Sequence, residues 1–171
     1  MNFQKETNPI VTLKIKDRGT IEIELFVDVV PNTAKNFIHL VNQKYYDGLN
    51  FHRIIPGFMI QGGQGGPAKP IKGDFRSNGF DNPILHERGV ISMARTSFPN
   101  SATSQFFIMH QKSPHLDGQY ASFGIAKSGF DVIDSIAKTR RDPYDRPLEP
   151  VIIESVTIDL KGITYDLPIY L

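Results

Sequence analysis

The chain has 171 residues and sets 19 Lys plus Arg against 18 Asp plus Glu, for a formal net charge of +1. That length predicts one domain that buries roughly 70% of its unfolded surface, and the balanced charge gives no general pull toward nucleic acid or an acidic membrane. The absence of Cys and Trp excludes a disulfide scaffold, a Cys-ligated zinc site and a thiol nucleophile.

No apolar h-region follows Met1, and no apolar run reaches membrane-spanning length, so the expectation is a soluble, cytoplasmic protein that acts where it is made. Val11, Leu13 and Ile15 alternate with Thr12, Lys14 and Lys16. After Asp17-Arg18-Gly19, Ile21, Ile23 and Leu25 alternate with Glu22 and Glu24. Two period-2 runs about a Gly-containing turn predict a hairpin with one face in water. Pro31 then suits a helix start. Ala34, Phe37, Ile38, Val41 and Tyr45 form one helical face, which Gly48 is expected to end. A second, shorter helix is predicted over Asp131 to Lys138, with Val132, Ile133 and Ile136 inward. The rest reads as short strands: Phe51 to Ile55, Phe58 to Gln61, Val90 to Ala94, Gln105 to Met109, Tyr120 to Ile125 and Val151 to Ile158. Many short strands with few helices predict a barrel or sandwich.

Three of these strands mix a strong hydrogen-bonding group with large apolar neighbours. Phe51, Arg53 and Ile55 share one side of a period-2 segment, Gln61 shares a side with Met59, and Gln105 with Phe107 and Met109. On a common surface they would make a greasy floor with a few polar heads, as in a small-ligand pocket. The alternative is an Arg53 that snorkels past its neighbours over satisfied core glutamines, and spacing alone favours this blander reading.

Longer motifs shift that balance. The stretch Phe51-His52-Arg53-Ile54-Ile55-Pro56-Gly57-Phe58-Met59-Ile60-Gln61-Gly62-Gly63 resembles the signature of the cyclophilins, a family of peptidyl-prolyl cis–trans isomerases. Pro31-Asn32-Thr33-Ala34-Lys35-Asn36-Phe37, Ser92-Met93-Ala94, Ser104-Gln105-Phe106-Phe107-Ile108 and Leu116-Asp117-Gly118 with Phe123-Gly124 match further family blocks in order. Met93-Ala94-Arg95-Thr96 with Ser101-Ala102-Thr103-Ser104-Gln105 is most similar to the short bacterial members. The resemblance runs from about Val11 to about Leu160. It implies an all-β-dominated fold: a closed eight-stranded antiparallel barrel capped by two helices, with the active site on its outer face. The domain would span 1–171, with a core of about 10–160 and an apolar extension over 161–171 that packs on the barrel or, less favoured, meets a partner.

The resemblance also implies a chemistry. An X-Pro bond has a rotation barrier of about 18–20 kcal/mol and isomerises in tens to hundreds of seconds. No covalent bond breaks, so no cofactor or metal is needed. As the amide twists, charge returns to the proline nitrogen, and a fixed donor aimed there favours the twisted state. Arg53 is the implied donor, always charged and with directed N–H groups. Phe58, Met59, Phe107 and Leu116 are implied as a cup for the proline ring, and Gln61 as the group that orients Arg53 or the substrate backbone. Ala94, Arg95, Thr96 and Gln105 would hold the residues before proline, and His52 would stand at the pocket edge. His115 stands where many eukaryotic members carry Trp, and Tyr120 where they carry His, so only weak cyclosporin binding is expected. The implied partners are proline-containing segments of folding proteins, with neither nucleic acid nor membrane. A proline-loop binding or chaperone-like module with incidental isomerase activity is the alternative.

Other signals carry less. Gly62-Gly63-Gln64-Gly65-Gly66 is followed by Pro67 and Pro70, which leave no helix N-terminus for a phosphate. His39, His52, His86, His110 and His115 form no metal-ligand spacing, and no G-x-S-x-G elbow occurs. Lys138-Thr139-Arg140-Arg141 runs at once into Asp142 and Asp145, as a solvated turn does.

Overall fold

A computed structural model describes all 171 residues. The strands are β1 (Ile10–Ile15), β2 (Gly19–Leu25), β3 (Arg53–Ile55), β4 (Met59–Gly62), β5 (Val90–Met93), β6 (Phe106–Met109), β7 (Ser122–Ser128) and β8 (Ile153–Asp159). The helices are α1 (Pro31–Asn42) and α2 (Phe130–Ala137). All eight strands join one antiparallel sheet in the order β3-β4-β6-β5-β7-β2-β1-β8.

The sheet curls until its ends meet, but the expected full closure is not reached. No ladder joins β3 to β8. The seam is an isolated bridge between Asn50 and Ile152, with Phe51 N–H donating to Val151 at 3.0 Å and Ile153 N–H to Leu49 at 2.7 Å. The free edge of β3 is taken by the loop after α2, where the Asp145 carbonyl accepts from Ile54 N–H at 2.8 Å. β3 is only three residues long, so this loop satisfies the edge that β8 leaves open.

Two neighbouring rows of cross-strand partners separate inside from outside. Ile54, Ile60, Ile108 and Ile91 pair in succession across β3, β4, β6 and β5, and all are fully buried in the barrel. The next row, Arg53, Gln61, Phe107 and Ser92, points the other way because side chains alternate along a strand. One mouth of the barrel is filled by α1, whose Phe37 meets Tyr46, Phe106 and Phe123 with ring centroids 5.1, 5.6 and 5.2 Å away. Helix α2 packs on β2, β3 and β4. Its N-terminal neighbour Gly129 has φ +87°, and a Cβ there would lie 2.3 Å from the Thr20 carbonyl oxygen, so glycine is required.

Three expectations need correction. Helix α1 stops at Asn42, six residues before Gly48. Lys44 adopts φ +57°, while Tyr45 N–H bonds the Leu40 carbonyl and Lys44 N–H that of Val41, at 3.0 Å each. This pair closes the helix by the Schellman pattern, and Tyr45 lies beyond it. Phe51 does not share a face with Arg53. Residues 51 and 52 lie outside the ladder, the alternation breaks there, and Phe51 turns into the core edge-on to Phe106. Finally, Glu24 does not face water. It is buried, accepting from Asn8 Nδ2 at 2.7 Å and Lys5 N–H at 2.9 Å, partners supplied by the N-terminal segment folded over it.

Candidate active site

The outward row on β3, β4 and β6 opens into a cup of about 140 Å³, lined by Arg53, Phe58, Met59, Gln61, Ala94, Arg95, Phe107, Leu116 and Tyr120. A second depression of about 170 Å³ shares the wall of Gln61, Ala94 and Arg95 and adds Thr96, Ser101, Thr103 and Gln105. The two form a bipartite groove with an apolar and a polar half.

Local register sets the polar heads. Arg53 and Gln61 are direct cross-strand partners. Arg53 Nη1 donates to Gln61 Oε1 at 3.4 Å, and Gln61 Nε2 donates to Gln105 Oε1 at 3.1 Å. Gln105 stands just before β6, with its carbonyl tied to Ala94 N–H at 2.9 Å. Arg53 is exposed, lines the cup and makes no ion pair with a carboxylate.

Arg95 is a different kind of arginine. Its guanidinium is wedged between Phe75 and Tyr120, 4.7 and 4.6 Å from their ring centroids. It donates to the carbonyls of Thr96 at 2.9 Å and Gln119 at 2.7 Å, leaving Nε enclosed without a partner. It acts as a brace for Tyr120, which stands edge-on to Phe107 at 5.6 Å.

Beneath the cup lies a polar chain that sequence reading missed. The His86 ring has Nδ1 3.0 Å from Asp117 Oδ1 and Nε2 2.9 Å from Ser92 Oγ. The order Asp–His–Ser is that of a hydrolase triad, yet Ser92 is fully enclosed and no carbonyl can reach its oxygen. Burial lowers the His86 pKa, outweighing the raising effect of Asp117, so the ring is a neutral structural support.

Two of the expected site residues stand outside both halves of the groove. His52 lies in a separate depression with Asn50, Phe51, Arg146, Pro147 and Pro150, because the alternation breaks before β3. Burial lowers its pKa, opposed by the Gln105 side chain, and its Nδ1 has no partner. His115 is exposed at the rim, where its ring meets that of Phe58 at 5.5 Å and 32°. Thr96 lines the polar half, held there by Ser101 Oγ, which bonds its N–H at 3.0 Å and its hydroxyl at 2.8 Å. Ser101 and Thr103 belong to the polar half but were not singled out as site residues; their place in the matched Ser101-Ala102-Thr103-Ser104-Gln105 block was the available signal.

An outward groove on an eight-stranded barrel, with one exposed arginine beside an apolar cup and a polar extension, has the shape and lining of a ligand-binding site. Comparison with known proteins agrees. Residues 10–158 match the family model for the cyclophilin type peptidyl-prolyl cis-trans isomerase/CLD. The peptidyl-prolyl cis-trans isomerase CYP18-1 of Arabidopsis thaliana is 44% identical over 145 residues, covering 82% of this chain and 90% of that protein. A peptidyl-prolyl cis-trans isomerase of Acinetobacter baylyi is 43% identical over 167 residues, covering 88% and 86%. A crystal structure of a Cryptosporidium parvum cyclophilin type isomerase, determined in the presence of the dipeptide ala-pro, superposes with a TM-score of 0.79 at 30% identity, over 88% of this chain and 98% of that one. The chain belongs to the cyclophilin-type peptidyl-prolyl cis–trans isomerases, and its activity is that of an isomerase.

Proposed function

We propose that the chain accelerates rotation about X-Pro bonds in folding proteins by seating the proline ring in the Phe58, Met59, Phe107 and Leu116 cup while Arg53 stabilises the twisted amide. The observation that carries this reading is the placement of an exposed, unpaired guanidinium at the lip of an apolar cup, oriented by Gln61. As the C–N bond loses its double-bond character, the proline nitrogen gains a lone pair. A guanidinium N–H aimed at it interacts more strongly with the twisted amide than with either planar form, which is the condition for lowering the barrier. The polar half of the groove, including Ala94, Thr96 and Gln105, would take the main chain before proline. The ala-pro dipeptide present with the related Cryptosporidium parvum protein supports a proline-containing peptide as the ligand class.

The test is the exchange rate of an X-Pro peptide with the native protein and with Arg53→Ala. Loss of one preorganised donor lowers kcat by about 100- to 1000-fold in comparable sites, and such a loss at an unchanged melting temperature is the expected result. Full activity in the variant would remove Arg53 from the mechanism and favour a proline-binding module with incidental turnover.

Cyclosporin binding is expected to be weak. His115 occupies the rim position and packs on Phe58, so it offers no indole surface or indole N–H to the drug. Inhibition equal to that of a tryptophan-bearing relative would contradict this.

A further inference from the structure

His110, which follows β6 and is 9% exposed, holds the connection between β3 and β4 from two sides. Its Nδ1 accepts from Gly57 N–H at 2.8 Å, and its own backbone N–H donates to the Phe58 carbonyl at 2.9 Å. A backbone amide can only donate, so Nδ1 carries the lone pair and the ring proton sits on Nε2. That proton faces Asp134 Oδ1, 3.0 Å away on α2. Asp134 is itself fixed by Arg88, whose two terminal nitrogens lie 2.7 and 3.0 Å from its oxygens and which also bonds the His110 carbonyl at 3.0 Å. The Arg88 contact is the main reason the Asp134 carboxyl is held below its usual range.

The connection needs such a grip. Ile55-Pro56-Gly57-Phe58 closes with Phe58 N–H on the Ile55 carbonyl at 3.0 Å, and Gly57 has φ +79°. Proline followed by a glycine at positive φ fits a type II turn. Turns of types I and II run against the natural twist of the strands they join, and the outward Gly57 N–H has no backbone partner. Arg53 begins the strand on one side of this turn, and Phe58 of the cup ends it on the other.

We infer that His110 is a positioning residue for the isomerase site. As the Nε2-protonated ring anchored by Asp134, it fixes the Pro56-Gly57 turn and thereby the place of Phe58 in the cup. The inference rests on the reading of Phe58 as a cup wall. None of His110, Asp134 or Arg88 lines the cup, so the effect is transmitted through the turn. Arg53 is held separately by its ladder with Gln61. Loss of the grip therefore weakens proline seating more than amide stabilisation, and it raises KM more than it lowers kcat.

The experiment compares His110→Asn, His110→Gln and Phe58→Ala in the full chain, by X-Pro peptide exchange, melting temperature and the NMR shift of the Gly57 amide. The Asn side-chain oxygen stands where Nδ1 accepts, so His110→Asn should keep the Gly57 amide shift and a near-native KM. Gln places its amide at the Nε2 position, so His110→Gln should lose the Gly57 bond and raise KM, by up to about 100-fold as for ångström-scale misplacement. A native KM in His110→Gln with the Gly57 bond lost would overturn the inference, as would equal KM increases in both variants that track melting temperature. Should His110→Gln fail to fold, Asp134→Ala frees Nε2 and is expected to raise KM by a smaller factor; an unchanged KM there overturns it equally. Full activity in Phe58→Ala would instead refute the cup reading, and this inference with it. Loss in Phe58→Ala beside a native His110→Gln leaves the cup standing and removes only His110.

Discussion

The His86 imidazole lies nearly parallel beneath the Phe107 ring, with centroids 6.0 Å apart and 16° between the planes. Asp117 Oδ1 holds His86 at two points, the ring Nδ1 at 3.0 Å and the backbone N–H at 2.6 Å, while Ser92 holds the far ring nitrogen. The floor of the cup is therefore a ring on a ring, and the lower ring is fixed by polar contacts the substrate never meets.

Asp117→Ala tests that support. It leaves two donors of a buried histidine unpaired, each at a cost of about 1–3 kcal/mol. In a domain of this size each kcal/mol lowers the melting temperature by about 2–4 °C. A loosened His86 also lets Phe107 shift, so kcat/KM should fall along with stability. Native activity at a reduced melting temperature would show that the cup does not depend on the lower ring.

The buried histidines set a direction for pH dependence. Burial lowers the pKa of both His86 and His52 below the ordinary value of 6.5. Between the depressed folded values and about 6.5 the unfolded chain binds more protons than the native one, so stability rises with pH through that window and is lost as pH falls. The melting temperature should therefore decline on acidification from about pH 7 toward pH 5, and His86→Gln, which cannot titrate, should flatten the slope. A slope unchanged in His86→Gln would mean that His86 does not contribute to it.

Asp74 provides a contrasting case. Its nearly buried carboxylate accepts from the Thr33 hydroxyl at 2.6 Å and the Thr33 N–H at 3.3 Å, satisfying a free donor in the first turn of α1. Burial raises its pKa, opposed first by those same bonds. Just above 3.8 the native state thus holds more protons than the unfolded one, and the Asp74 contribution falls as pH rises, opposite in sign to that of the histidines. Asp74→Ala strands both Thr33 donors, each at a cost of about 1–3 kcal/mol. Asp74→Asn keeps an acceptor without the buried charge and should melt within a few degrees of native at neutral pH. Equal losses in the two variants would mean that the acceptor is not what Thr33 requires.

What was legible in the sequence was what one element carries alone. The β1–β2 hairpin followed from its alternation. Gln61 could be placed with Met59, and Phe107 with Gln105, because each pair lies along one short strand, whereas no local signal marked the break that turns Phe51 away from Arg53. The end of α1 was hidden because a lysine, not a glycine, takes the left-handed position, which left Tyr45 in apparent phase with the helical face. The wedge of Arg95 between Phe75 and Tyr120, the His86 floor and the His110 grip all join residues distant in the chain. No local pattern marks such contacts, and each became visible only once the barrel brought its strands and loops together.

The terminal segment allows a last test. Beyond Leu160 the chain returns across the start of α1. Asn32 and Ile169 exchange hydrogen bonds, side-chain Nδ2 to carbonyl at 3.1 Å and backbone N–H to Oδ1 at 2.7 Å. Leu171 N–H reaches the Pro70 carbonyl at 3.3 Å, Lys69 Nζ lies 5.3 Å from the Tyr170 ring centroid, and Pro168 is buried. Leu167, Ile169 and Leu171 point outward, at 65%, 79% and 68% exposure, so only one side of the segment is used by the barrel. Removing residues 161–171 deletes the reciprocal Asn32 pair, each bond worth about 0.5–1.5 kcal/mol, together with the packing of Pro168 and Tyr170. The melting temperature should fall by several degrees, at about 2–4 °C per kcal/mol, with the oligomeric state unchanged. A changed oligomeric state on truncation would assign the outward residues to a contact between molecules, and no change in either quantity would show that the segment serves neither purpose.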